Sequence, residues 1–276
     1  MNLIELNKIV TTTKGWLRPK DYAHVSKNHL LQLFLNEIKI VSKQVPIRFI
    51  KKNDVLTMLG VYGIKPGKNI FVGDDNKGYM EYGPASARLG CFSFRANSPN
   101  SFVVLVDQDS EFLVEASEAN ANSFIDEKGN MSIQYQKMSS YLKKVASHAN
   151  FTEHFLSCLR KHDLLVESTD DLTKYGMQIK IKGLLKIDPE RLMKMSEESF
   201  VEIRPVLQAI YCIVESEHNW TGLVQISNSI EKRAQDSRKI DRELGQQIFG
   251  SADNLSLNFD DLDDFDDSAT DLLEKD

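Results

Sequence analysis

Cysteine is scarce in this sequence: Cys91, Cys158 and Cys212 are far apart and odd in number. They form no CxxC knuckle and no disulfide framework, so a reducing, cytoplasmic setting is expected. Histidine is sparse too. His24, His29, His148, His154, His162 and His218 include no HxxxH or HExxH spacing and no His-x-Asp pair. His148 and His154, six apart, fall on different faces of a helix. Neither a metal nor a cofactor is therefore expected, and GxGxxG, P-loop and GxSxG motifs are also missing. Only seven prolines occur, and no Pro/Gly/Ser-rich stretch divides the middle of the chain, which favours one domain. Long apolar runs are lacking. The stretch 30–41 is interrupted by Asn36, Glu37 and Lys39, whereas a bilayer-spanning helix needs about 20 mostly apolar residues. Residues 1–16 show no basic segment followed by an apolar core, so no secretory signal is expected.

What the sequence does contain is a charge asymmetry. The 276 residues are 41% hydrophobic and 27% charged, with a net charge of −6. Residues 250–276 hold ten acids and one base, a net −9. The remainder holds 33 bases and 30 acids, a net +3. A nearly neutral body carrying an acidic tail is a real division of the chain.

Patterning predicts an α+β fold with an antiparallel, β-rich N-terminal half packed against a helical C-terminal half. Residues 1–28 read as an extended arm anchored by Trp16 and Tyr22. Leu30, Leu31, Phe34, Leu35, Ile38 and Val41 recur at helical spacing, which predicts a helix over 29–43. Pro46 then opens an extended run at 47–50. Strands are predicted over 55–61, 69–72, 91–94 and 102–106, with turns at 65–68 and 73–78. The second half predicts one or two helices over 134–165, a strand over 183–187, and helices over 190–195 and 200–214, the last interrupted by Pro205. A long helix over 227–249 has a thin stripe of Ile230, Ala234, Ser237, Ile240, Leu244 and Ile248, which suits packing on one partner surface or a weak coiled coil. The expected organisation is a single body at 1–226, the helix at 227–249, and a disordered acidic tail at 250–276.

One ordered series of short segments has a family character. It runs from Val45-Pro46-Ile47-Arg48-Phe49 through Met58-Leu59-Gly60-Val61 to Gly67-Lys68-Asn69-Ile70-Phe71-Val72. It continues with Gly78-Tyr79, Tyr82-Gly83-Pro84-Ala85, Arg88 and Leu105-Val106-Asp107-Gln108-Asp109-Ser110. Gly183 to Asp188, Leu192, the stretch from Ser199-Phe200 to Arg204, then Ser216 and His218 complete it. Over roughly residues 20–220 the chain resembles the SapC family of bacterial proteins. It departs from that pattern at Tyr79, where a tryptophan is expected, and at Leu89-Gly90-Cys91-Phe92, where an aromatic-proline-phenylalanine run is expected. The resemblance implies an accessory linked by name to surface-layer assembly and export, and it brings no catalytic residues with it.

Tyr79, Tyr82, Arg88 and Asp107 form the best candidate polar cluster for a ligand. Aromatics beside an arginine suit a peptide carboxylate, because guanidinium grips it bidentately. The alternative is an arginine holding loop carbonyls. Asp107 and Asp109, two apart at a strand end, fit either an acid/base pair or a plain strand terminator. Asp74-x-Asn76-x-Gly78 superficially resembles the opening of a calcium loop, but its glycine is one place early and position twelve is Ala85, so a turn is predicted. In the tail, Phe259, Leu262, Phe265 and Leu272 are threaded through acids. They suit a basic, grooved partner or serve only a solubilising segment. The leading expectation is a non-enzymatic binding or assembly accessory with a protein or peptide partner. Two alternatives stay open: a peptide-acting enzyme or enzyme accessory using the Tyr/Arg/Asp cluster, and a replication or transcription accessory using the tail. A body at only +3 without a Lys/Arg-aromatic run argues against nucleic acid as its ligand.

Overall fold

The computed structural model describes residues 2–98 and 101–249. The acidic segment 250–276, with Phe259, Leu262, Phe265 and Leu272, lies outside the described residues, and so does its expected disorder.

The chain opens with two short strands, β1 (Leu3–Glu5) and β2 (Lys14–Trp16), and Trp16 is completely buried. The helix expected over 29–43 is not formed. Leu30–Gln32 is instead a strand, β3, and only Ile38–Val41 makes an α-helical turn, α1. The helical spacing was real, but six apolar positions within a short run fit either element. Pairing of Leu30 with Val61 and Gln32 with Leu59 decided for the sheet. Next come β4 (Ile47–Lys52) and β5 (Val55–Val61), joined at Asn53 and Asp54. Both joining residues have positive φ, 48° and 61°, as a primed hairpin turn requires.

The strand expected over 69–72 is reduced to one isolated bridge, Val72 with Gly78. The Asn69 side chain accepts from the Phe71 N–H at 3.0 Å, which bends the backbone locally instead of extending it. After the short helix α2 (Ala85–Arg88) come β6 (Phe92–Ser98), β7 (Ser101–Asp107), β8 (Leu113–Glu115) and β9 (Asn122–Ser123).

The second half begins with one continuous helix, α3 (Ile133–Lys161), capped by the Ser132 hydroxyl, which accepts from the Tyr135 N–H. Its buried residues Tyr135, Met138, Leu142, Val145 and Ala149 recur every three or four positions. A strand not expected from the pattern, β10 (Leu165–Asp171), pairs antiparallel with β11 (Lys180–Ile187). The short helix α4 (Pro189–Met193) follows. Pro205, lacking an N–H, splits the expected helix into α5 (Glu197–Ile203) and α6 (Leu207–Glu215). The final helix, α7 (Asn219–Phe249), starts before the expected residue 227.

Among the described residues the strands form three antiparallel sheets, in the orders β1-β7-β6, β10-β11-β4-β5-β3 and β8-β2-β9. The fold is therefore α+β, with the second half lending β10 and β11 to the largest sheet. Helix α3 packs on β5, β7 and β9, while α6 packs on β4 and β11. Trp16, Phe92, Phe124 and Tyr135 interlock in one core cluster with Leu142 and Val145. Contacts divide the chain into two units, residues 1–229 and 230–276. In the first unit Trp220, Leu223 and Val224 are buried. In the second, Ala234 and Ser237 of the thin stripe are exposed. Among the described residues no helix is long and apolar enough to cross a membrane.

Candidate functional site

The polar centre of the β-rich half is Glu37, a residue that the cluster expected from the sequence did not include. It follows Phe34, whose backbone N–H donates to Glu37 Oε2 at 2.9 Å. The Ala85 N–H donates to Oε1 at 2.7 Å, and the Tyr82 hydroxyl donates to the same oxygen at 2.9 Å. The carboxylate is only 1% exposed. A buried charge is tolerated when its lone pairs are filled in this way. Arg88 supplies the compensating charge: its Nη2 lies 4.0 Å from Glu37 Oε1 and donates to the Tyr82 oxygen at 2.8 Å. Its guanidinium carbon stands 5.2 Å from the centre of the Tyr82 ring. Burial first, then the Glu37 charge and hydrogen bond, push the Tyr82 phenol up to about 12, with Arg88 pulling the other way. Tyr82 is thus a protonated bridge between the buried carboxylate and the half-exposed guanidinium.

The outer side of Arg88 faces a cleft of about 480 Å³ between residues 18–22, α2 and α3. Arg18, Lys20, Arg88 and Lys137 contribute four cations to its lining, against one acid, Asp21. Tyr22, Met138 and Tyr141 supply the apolar surface. Tyr22 is fixed by glycines: a Cβ on Gly83 would come within 2.3 Å of the Tyr22 hydroxyl, and one on Gly78 within 2.6 Å of its ring. The arm thereby closes one wall of the cleft. The Tyr141 hydroxyl is buried with no hydrogen-bond partner among the described residues. Its phenol is raised, chiefly by burial. Positions 137, 138 and 141 share a face of α3, as their spacing of three and four dictates. Tyr141 was legible in that periodicity. Lys137 was not, because an exposed lysine on a helix carries no signal of its own.

Of the four residues expected to cluster, Tyr82 and Arg88 meet. Tyr79 is 67% exposed, and its hydroxyl is 3.4 Å from Asp75 Oδ1. Asp107 ends β7, where its Oδ1 accepts from the backbone N–H groups of Asn2 and Asp109, each at 3.2 Å. It lines a different cavity, of about 570 Å³, together with His24, Asp109, Glu111 and Phe112.

A second buried charge lies in the five-stranded sheet. Arg48 of β4, 1% exposed, forms a two-pronged bond with Asp170 of β10 at 2.9 and 2.6 Å. It also donates to the Ile47 carbonyl at 2.8 Å, lies 3.3 Å from Glu217, and stacks 5.5 Å from the centre of the Trp220 ring. The register shift between Ser168 and Asp170, opposite Gly183 with φ of +81°, accompanies the turn of Asp170 toward Arg48. Only glycine reaches that φ without strain in a strand.

An apolar groove runs over α4, α5 and α6. Two adjoining hollows of about 860 and 690 Å³ share Tyr211. Met193, Val201, Tyr211 and Phe200 are 79%, 66%, 52% and 40% exposed. Lys39, Lys43 and Arg204 border the groove, with Glu197 and Glu215 as its acids.

Compared with known proteins, the chain matches the family model described as SapC over residues 6–223. No curated protein and no solved structure matches it.

Proposed function

We propose, from the premise that the chain belongs to the SapC family, that it is a non-enzymatic binding or assembly accessory that engages a protein partner. The observation that carries this reading is the groove over α4–α6. Four large apolar side chains, Met193, Phe200, Val201 and Tyr211, stand there 40–79% exposed and contiguous. Exposed apolar surface gathered in one hollow is a mark of recognition, whereas scattered exposed residues are not. The three basic residues at its border suit an apolar segment flanked by acids. The tail residues Phe259, Leu262, Phe265 and Leu272 provide a second contact with the partner. The family name supports placing this accessory in surface-layer assembly or protein export, acting from the cytoplasm.

The test is affinity purification from the native host of the wild type, a Val201→Glu/Tyr211→Glu variant, and a chain lacking residues 250–276. A protein recovered in stoichiometric amount with the wild type is expected to be lost from the groove variant and reduced with the truncated chain. Equal recovery with a folded groove variant overturns the reading.

A further inference from the structure

The groove accounts for a protein partner, but it leaves the basic cleft at Arg88 without a role. Four cations line this cleft from three separate parts of the fold: Arg18 and Lys20 from the N-terminal arm, Arg88 from α2 and Lys137 from α3. Against these four cations the lining carries one carboxylate, Asp21. Tyr82 and Glu37 approach Arg88 at one nitrogen, Nη2, and the arginine side chain is 44% exposed. Cations spread over three elements suit several separated carboxylates better than one compact anion, which a single cluster of donors would hold. The apolar surface of Tyr22, Met138 and Tyr141 beside them calls for a ligand with an apolar or aromatic side chain. The Tyr141 ring forms part of this wall, while its hydroxyl is buried and has no hydrogen-bond partner among the described residues.

We propose that the cleft between residues 18–22, α2 and α3 binds acidic peptide segments that carry an apolar side chain. The cleft holds the peptide through charge and stacking, with the Glu37–Tyr82 pair fixing Arg88 from behind. This inference rests on the reading of the chain as a binding accessory, and it names the chemistry of a further contact outside the groove and the tail.

The experiment is calorimetric titration of the full chain with a synthetic hexapeptide in which glutamates alternate with phenylalanine and leucine. Its glutamine counterpart and phenyl phosphate serve as comparison ligands. The acidic peptide is expected to bind, the glutamine peptide to bind at least tenfold more weakly, and phenyl phosphate to bind more weakly than the acidic peptide. Lys137→Gln is expected to weaken peptide binding about fivefold, the range of one exposed ion pair. Lys143→Gln, on another face of the same helix, is expected to leave it unchanged. No binding of the acidic peptide, equal binding of the glutamine peptide, tighter binding of phenyl phosphate, or an unaltered Lys137→Gln variant each overturns the proposal. The Val201→Glu/Tyr211→Glu variant separates the two readings. It is expected to lose the protein partner and keep the peptide, so failure at the cleft and failure at the groove are read independently.

Discussion

Two buried charges divide the labour in this molecule. Arg48 is enclosed: Asp170 grips it with two bonds, Glu217 approaches, Trp220 covers its face, and 1% of it reaches solvent. Glu37 is just as deeply buried, but its charge is passed outward through Tyr82 to an arginine whose side chain is 44% exposed. In the first arrangement the guanidinium is sealed and fastens β4 to β10, while its outer partner Glu217 is 38% exposed. The second has its last member at the wall of a cleft. Burial alone therefore does not distinguish a structural charge from a site; in the first pair the cation is sealed and an acid reaches solvent, in the second the acid is sealed and the cation reaches the cleft.

The largest expected effect is on the enclosed pair. Asp170→Ala leaves a buried guanidinium with Glu217 as its remaining acid, and is expected to reduce unfolding free energy by about 3–5 kcal/mol in urea denaturation. A loss below about 1 kcal/mol would show that Glu217 suffices. The same pair has a pH signature. Burial pushes the Asp170 carboxyl up, but the Arg48 bonds and charge and the Lys186 charge bring it below the ordinary carboxylate range. Its folded value is thus lower than its unfolded one. The stabilisation is complete above the unfolded value and is lost as pH falls toward the folded value. An Asp170→Asn variant is expected to show a flatter loss of stability below about pH 4 than the wild type.

Next in size is Glu37→Gln. The amide keeps the shape but replaces one acceptor with a donor facing the donors Phe34 N–H, Ala85 N–H and Tyr82 O–H. It is expected to lower stability by about 2 kcal/mol. Because Arg88 would lose its buried counter-charge, peptide titration should also change, whereas Asp170→Asn should leave it alone. A cleft indifferent to Glu37→Gln would break the contrast between the two charges. The smallest effect belongs to Tyr79→Ala, expected to stay within about 0.5 kcal/mol, since that ring is mostly in solvent and away from both.

Much of the fold was legible in the sequence. The strand at Val55–Val61, the paired strands at Phe92–Ser98 and Ser101–Asp107, and the long helix Ile133–Lys161 all follow from period-two or period-3.6 patterning. Pro205 fell at a real break between helices. Leu165–Asp171 was missed because Glu167, Asp170 and Asp171 make it too polar for the pattern of a buried strand. It is a strand at the end of the sheet order, held by pairing with Lys180–Ile187. At the site, Tyr82 and Arg88 were legible as an aromatic beside an arginine. Glu37 was not, because it sits among apolar residues whose spacing pointed to a helix.

The sequence by itself determined the composition of the parts: a chain with the material for antiparallel strands and amphipathic helices, a family character spread in order over its length, and negative charge concentrated after residue 249. Those are properties of local spacing and of residue chemistry, which neighbours along the chain already express. Which charges would be buried, and whose partners they would take, was decided only in three dimensions. Arg48 and Asp170 are 122 positions apart, and Glu37 and Tyr82 are 45 apart. A hydrogen bond acts over about 3 Å and has no memory of sequence separation, so the closed charge and the open one become distinguishable only when the sheet and the arm have brought those side chains together.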